Sequence, residues 1–298
     1  MDPALALENQ WPRAAGGWAR RSRDENQLPR AALILASLIV AVGVAHAADL
    51  EVPLRAPAAT SIPAGPLGDA VRLGQTIFNA TQANVKTHVG NGLSCTSCHL
   101  GGGTVAYAAP MVGLWGVFPE FVARSDRVET LADRINDCFR RSMNGRPLPV
   151  DGDEMRALLA YTAWLSTGVP TGSSVAGRGF ADLGPAPSTP DQGRGERVYA
   201  QQCAMCHGAD GAGVRGAGDT YAFPPLWGPQ SFNDGAGMAR VSIAAAFVHA
   251  KMPLGRGGLL SVQEAFDVAA YFTSKPHPVF AGKARDWPRG AKPADARN

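Results

Sequence analysis

Cys95-Thr96-Ser97-Cys98-His99 and Cys203-Ala204-Met205-Cys206-His207 decide how this 298-residue chain is read. Each is a CxxCH motif. Two thiols one helical turn apart can add across the two vinyl groups of one haem, and the histidine that follows reaches the iron from the same side. The two copies specify two covalently bound haem c groups. Cys95, Cys98, Cys203 and Cys206 are the attachment points, and His99 and His207 are the proximal iron ligands. A four-cysteine zinc site would leave both histidines without a role.

The flanks of the two motifs repeat. Gly74-x-x-x-Phe78 precedes the first and Gly195-x-x-x-Tyr199 the second, while Leu114-Trp115-Gly116 and Leu226-Trp227-Gly228 follow them. Leu67, Ala70, Val71, Gly74, Ile77 and Phe78 recur at helical spacing. Each half ends in a helix with a capping signature, Asp151-x-x-Glu154 before Met155 to Leu165 and Ser261-x-x-Glu264 before Ala265 to Phe272. Cys203 follows Cys95 by 108 residues and Glu264 follows Glu154 by 110, the mark of a tandem duplication. The order resembles class I cytochrome c. The resemblance implies a mainly α fold of two tandem class I cytochrome c-like domains, residues 48–168 and 193–275, each around one covalently attached haem c. The halves differ in one place: Phe78 stands 17 residues before Cys95, but Tyr199 only four before Cys203. The first domain thus carries an insertion, Asn79 to Ser94, beside its haem. Residues 169–192, rich in Pro, Gly, Ser and Thr, read as a linker, and residues 276–298 as an irregular tail.

Residues 1–47 read as an address. Arg20, Arg21, Arg23 and Arg30 precede an uncharged run from Ala31 to Val44, and Ala45-His46-Ala47 offers a small-x-small cleavage site. The run is shorter than the roughly 20 residues that span a bilayer. A signal peptide, export to the periplasm and no stable membrane span after cleavage are expected. The net charge of +3 is too small for a nucleic-acid partner, and 18% charged with 45% hydrophobic residues excludes wholesale disorder.

The distal ligands are less determined. In the second domain Met252 is the usual choice. Lys251 beside it ligates only when neutral, against an unperturbed pKa of about 10.4, and His249 is a third candidate. In the first domain the repeat sets Met143 near the place of Met252, which gives two His/Met haems and an electron carrier. The competitor is the fifth cysteine, Cys138, on a helix expected from Asp126 to Met143 with Val128, Leu131, Ile135 and Cys138 on one face. A free cysteine is often merely a small buried hydrophobe. Here, however, Arg124, Arg134, Arg140, Arg141 and Arg146 flank the thiol within 23 residues. Guanidinium groups fork onto tetrahedral oxyanions and favour thiolate, which points to an anionic sulfur substrate.

Asp137-Cys138-Phe139-Arg140-Arg141-Ser142-Met143-Asn144-Gly145, the two CxxCH motifs and the tail Lys275-Pro276-His277-Pro278 with Asp286-Trp287-Pro288 resemble the dihaem thiosulfate dehydrogenase family. The resemblance implies a periplasmic enzyme that joins two thiosulfates into tetrathionate, in some members in reverse. It passes electrons to an external acceptor such as a small cytochrome c. It implies His99 and Cys138 as ligands of a catalytic first haem, Arg124, Arg134 and Ser142 as substrate-binding residues, and His207 with Lys251 or Met252 at the second haem. A cytochrome subunit of a larger sulfur-oxidising complex is the alternative within the same chemistry.

Overall fold

The computed structural model describes residues 51–216 and 220–297, so the expected signal segment lies outside the described residues. In chain order the elements are β1 (Glu51–Val52), α1 (Pro66–Asn79), α2 (Thr81–Asn84), α3 (Leu100–Gly103), β2 (Glu120–Val122), β3 (Arg127–Glu129), α4 (Leu131–Arg141), α5 (Asp153–Leu165), β4 (Ser174–Val175), α6 (Gln192–Gln202), α7 (Ala204–His207), β5 (Val214–Arg215), β6 (Tyr221–Phe223), α8 (Val241–Lys251) and α9 (Val262–Ser274). The strands make three two-stranded pieces, β1 with β4 in parallel and the hairpins β2–β3 and β5–β6. Helices carry the fold.

One helix crossing occurs twice. α1 crosses α5 at Gly74, where a Cβ would stand 2.0 Å from the Ala157 carbonyl oxygen and 2.8 Å from Tyr161 Cβ. α6 crosses α9 at Gly195, where a Cβ would stand 2.0 Å from the Asp267 carbonyl oxygen and 2.8 Å from Tyr271 Cβ. The glycine of each Gly-x-x-x-aromatic motif is therefore a contact point between two backbones. The aromatic partner seals the next turn: ring centroids are 5.6 Å apart for Phe78–Tyr161 and 5.5 Å for Tyr199–Tyr271. Val71, Gly74, Ile77 and Phe78 are buried as the spacing requires, but Leu67 is exposed, because it lies in the first turn of α1, well before the crossing.

The helix starts follow local chemistry with two corrections. Ser261 caps α9 as read, its hydroxyl accepting from the Glu264 N–H while Glu264 accepts from the Ser261 N–H. Asp151 does not cap α5. Gly152 occupies the N-cap, which leaves Asp153 and Glu154 in the first turn to complement the helix N-terminus. The helix expected from Asp126 begins at Leu131 instead. Thr130 and Asp133 form a capping box that fixes its start, and Val128 sits in the β2–β3 hairpin with its side chain exposed. Linker and tail are irregular yet tied down. Gly177 and Gly179 carbonyls accept from Tyr107 and Ala109 of the first domain, and Phe180 packs edge-on against Phe247 of the second. Pro276 and Pro278 carbonyls accept from Gly228 and Asp234, and the Trp287 N–H donates to the Arg124 carbonyl.

Two variants check this packing in the haem-loaded protein. Gly74→Ala forces α1 off α5 and should cost about 1–3 kcal/mol, read by denaturant unfolding. Asp267 on α9 is nearly inaccessible. Burial opposes its ionisation, but Arg194, the Asp191 N–H and Gln263 outweigh that and hold its pKa below the ordinary carboxylate value. Its contribution is present at neutral pH and is lost as pH falls through the lowered pKa. Asp267→Asn should therefore cost about 1–3 kcal/mol at pH 7, with the difference from wild type shrinking steadily below roughly pH 4.

Candidate functional site

Each CxxCH motif borders an apolar cavity. The first holds Cys95, Cys98 and His99 against Phe78, Met111 and Leu158, with about 610 Å³ of atom-free space. The second holds Cys203, Cys206 and His207 against Leu226, Phe247 and Met252, with about 1290 Å³. His99 Nδ1 bonds the Ala109 carbonyl at 2.6 Å and His207 Nδ1 the Pro224 carbonyl at 2.8 Å, which fixes each ring in its cavity lining and leaves Nε2 as the nitrogen that could hold a metal. Leu93 and Cys98 line both cavities, so the two sites share a wall.

The donor sets fit haem iron. In the first cavity the Cys138 thiol and the His99 ring line the same space, one sulfur and one nitrogen donor. Met143 is buried in the same cavity wall. In the second cavity Met252, the residue that ends α8, joins the lining. Lys251 does not join it; its Nζ lies 5.8 Å from the centre of the Tyr107 ring. His249 is taken up by the Leu260 carbonyl, through Nδ1 at 2.8 Å.

The thiols differ in character. Burial pushes Cys95 and Cys98 up to about 12. Burial opposes ionisation of Cys138 too, but the Arg134 guanidinium and the His99 ring more than offset it, so its pKa lies below the ordinary thiol value. Arg134 Nη1 is 3.4 Å from Cys138 Sγ.

A third cavity, with about 920 Å³ of atom-free space, opens along the neighbouring face of α4. Arg124, Arg134, Arg141, Cys138 and Ser142 line it, and Cys138 and Ser142 line the first haem cavity as well. The five arginines close in sequence separate here. Arg146 reaches away to the Thr87 carbonyl and Arg140 does not line the cavity, because the end of α4 carries them to other faces. Asp137 organises the rest. Its carboxylate accepts from Arg124 Nη2 at 2.5 Å and Arg141 Nε at 2.6 Å, and lies 3.5 Å from Arg134 Nη1. Arg141 is further held by two 2.7 Å bonds to Asp286 and by the ring of Phe280. Arg124 and Arg141 are anchored, while Arg134 keeps Nε and Nη2 without hydrogen-bond partners among the described residues.

The segment after Cys138 is clamped from two sides. Asn144 takes a left-handed φ of 45°, and the Gly145 N–H returns to the Phe139 carbonyl, so Asn-Gly stops the helix. Buried Asn91, from the insertion, donates to the carbonyls of Ser142 and of Ser231 in the second domain. Buried Asn233 donates to the Arg140 carbonyl and to Asn144 Oδ1. Sequence reasoning missed Asn91, Asn233, Asp137 and Asp286. Asp137 and Asp286 stood inside the quoted motifs; the two asparagines carry no local signal.

Residues 79–171 match the SoxA/TsdA cytochrome c domain and residues 190–272 the cytochrome c oxidase, cbb3-type, subunit III family. Both halves are thus cytochrome c domains that bind haem c. The chain is 47% identical over 264 residues to the thiosulfate dehydrogenase of Allochromatium vinosum, covering 87% of this chain and 97% of that one. It is 45% identical over 244 residues to that of Psychrobacter arcticus, covering 82% and 74%. The solved thiosulfate dehydrogenase (TsdBA) from Marichromatium purpuratum superposes with a TM-score of 0.70 at 44% identity, over 73% of this chain and 48% of that longer one.

Proposed function

Because the chain belongs to the thiosulfate dehydrogenase family, we propose that it is exported to the periplasm, binds two haem c groups covalently through Cys95, Cys98, Cys203 and Cys206, and couples two thiosulfates into tetrathionate. The observation that carries this reading is that Cys138 and Ser142 border both the first haem cavity and the arginine cavity. A substrate sulfur brought to Cys138 is at once beside the redox centre and within a cationic site.

His99 and Cys138 would hold the iron of the first haem, and His207 with Met252 that of the second. Lys251 would reach the second iron only after turning away from Tyr107. Haem c at each motif supplies a one-electron acceptor when bound, two for the two electrons that the coupling releases. The remaining work belongs to side chains. Bringing two dianions together is opposed by about 1 kcal/mol per pair of unit charges at 4 Å even in water. Arg124 and Arg134 offset that repulsion, and the Ser142 hydroxyl orients the first sulfonate. A bond forms between the Cys138 thiolate and the sulfane sulfur of the first thiosulfate as two electrons leave. The sulfane sulfur of the second thiosulfate then attacks the bound sulfane sulfur. The S–S bond of tetrathionate forms, the bond to Cys138 breaks, and Cys138 recovers its electron pair as thiolate. No proton moves. The steps are reversible, so the same site reduces tetrathionate when electrons are supplied. The electrons leave through the second domain to an acceptor such as a small cytochrome c.

The presence of Met143 in the first cavity favours one other reading, a dihaem carrier with two His/Met haems. Spectroscopy separates the two: the carrier gives two methionine-ligated haems and the enzyme a thiolate-type signal from one. In a stopped assay with thiosulfate and a one-electron acceptor, wild type should form tetrathionate. Cys138→Met should keep both haem absorbances and lose at least about a hundredfold of turnover. Full turnover in that variant would count decisively against the role of Cys138. Arg134→Ala should raise KM for thiosulfate about tenfold or more, the loss of one charge-assisted contact.

A further inference from the structure

The arginine cavity has a second wall that the first domain does not build. Gly237, Arg240 and Ile243 at the start of α8 form it, with Phe180 from the linker and Trp287 and Pro293 from the tail at its sides. Arg240 is the one cationic side chain that the second domain contributes to this lining among the described residues. It is the N-cap residue of α8 and is braced from behind. Its Nε donates to Asp295 Oδ1 at 2.9 Å, its Nη2 lies 3.4 Å from Ser242 Oγ, and Asp295 Oδ2 accepts from the Ser242 N–H at 2.9 Å. Nη1 is left without a hydrogen-bond partner among the described residues. Of the two acidic side chains in the lining, Asp137 is already shared by Arg124, Arg134 and Arg141, and Glu120 belongs to β2 of the first domain.

The chemistry of coupling requires something on that wall. Displacement at a divalent sulfur is in line: the incoming sulfur approaches opposite the bond that breaks. With the first thiosulfate bound through its sulfane sulfur to Cys138, the second must enter from the side away from Cys138. Its sulfonate then lies further from Cys138 than that of the first, and the cation that the second domain brings to the same cavity is Arg240. A sulfonate group in transit there needs a cationic fork, and guanidinium supplies one.

We propose that Arg240 is the binding residue for the second thiosulfate, and equally for the far sulfonate of tetrathionate, with Asp295 as the positioning residue that holds its guanidinium toward the cavity. This rests on the coupling reading above. The first anion belongs to the first domain and the second anion to the second domain. In the step that Arg240 serves, the new bond joins two sulfane sulfurs, the Cys138 Sγ–S bond breaks, and its electron pair returns to Cys138. No electron enters or leaves in that step.

The test compares wild type, Arg240→Ala and Arg240→Lys, each with both haems, in three measurements. These are kcat/KM for thiosulfate, tetrathionate binding to the oxidised protein by calorimetry, and the mass of the Cys138 peptide after thiosulfate and acceptor are added. Arg240→Ala should weaken tetrathionate binding and lower kcat/KM each about tenfold or more, with Arg240→Lys recovering part of both. The thiosulfate adduct on Cys138 should accumulate in Arg240→Ala, since the first half of the reaction is intact and the second is slowed. Wild-type protein that forms no tetrathionate overturns the coupling reading and this inference with it. Wild type that forms tetrathionate while Arg240→Ala matches it in affinity and rate overturns the inference alone. If Arg240→Ala does not keep its haem absorbance, Ile243→Glu carries the test. It leaves the Arg240–Asp295 pair in place and sets a carboxylate on the same wall. It should weaken tetrathionate binding to a similar degree, and unchanged affinity would overturn the proposal.

Discussion

A single carboxylate shared by three guanidinium groups holds the centre of this molecule together. Asp137 sits one residue before Cys138 on α4 and gathers Arg124, Arg134 and Arg141. Clustered cations of this kind repel one another, and their burial is tolerated only when each is paired. Asp137 and Asp286 meet that requirement for Arg141, which is almost fully enclosed. Arg124, held through Asp137, in turn receives the tail at its carbonyl. Arg134 is the least committed of the three and remains available to a ligand. The pairing thus leaves chemically identical residues with different numbers of uncommitted donors.

Features with local causes were readable from the sequence. The CxxCH motifs, the two Gly-x-x-x-aromatic crossings and the Ser261–Glu264 box act over a few residues, and their spacing is their mechanism. Where the sequence misled, local cues competed. Val128 fell into helical register with Leu131 and Ile135, but the Thr130–Asp133 box, which also satisfies a capping rule, fixes the start of α4 later. Gly152 displaced Asp151 from the cap of α5 in the same way. The arginine cluster was legible as a region but not as a set. Proximity along the chain grouped five residues, whereas the fold kept three of them and added Arg240 from nearly a hundred residues downstream. Helix geometry spreads neighbours to different faces, and only tertiary packing decides which distant side chain arrives.

The duplicated halves show how one scaffold accommodates two tasks. Both use the same helix crossing and the same anchored histidine, and in each a tyrosine bonds into the motif region, but from opposite helices of the crossing: Tyr161 of α5 to the Gly102 carbonyl and Tyr199 of α6 to the Gly208 carbonyl. The first half differs through its insertion. Residues 88–91 pack against residues 142–146 so closely that a Cβ on Gly90 would meet the Asn144 carbonyl and one on Gly145 the His88 carbonyl, both at 2.0 Å. The insertion therefore acts as a backing plate for the segment that follows Cys138. The second half has no counterpart, and its cavity is finished by Met252 at the end of a helix.

Asp286, Trp287 and Asp295 brace Arg141, Arg124 and Arg240, yet all three lie in the tail, beyond both cytochrome c domains. Neither helix crossing uses any of these braces: Gly74 meets α5 and Gly195 meets α9 without a tail residue between them. The helix scaffold and the charge arrangement of the arginine cavity are therefore held by separate parts of the chain, and a loss of the tail would disorder the second while leaving the contacts of the first in place.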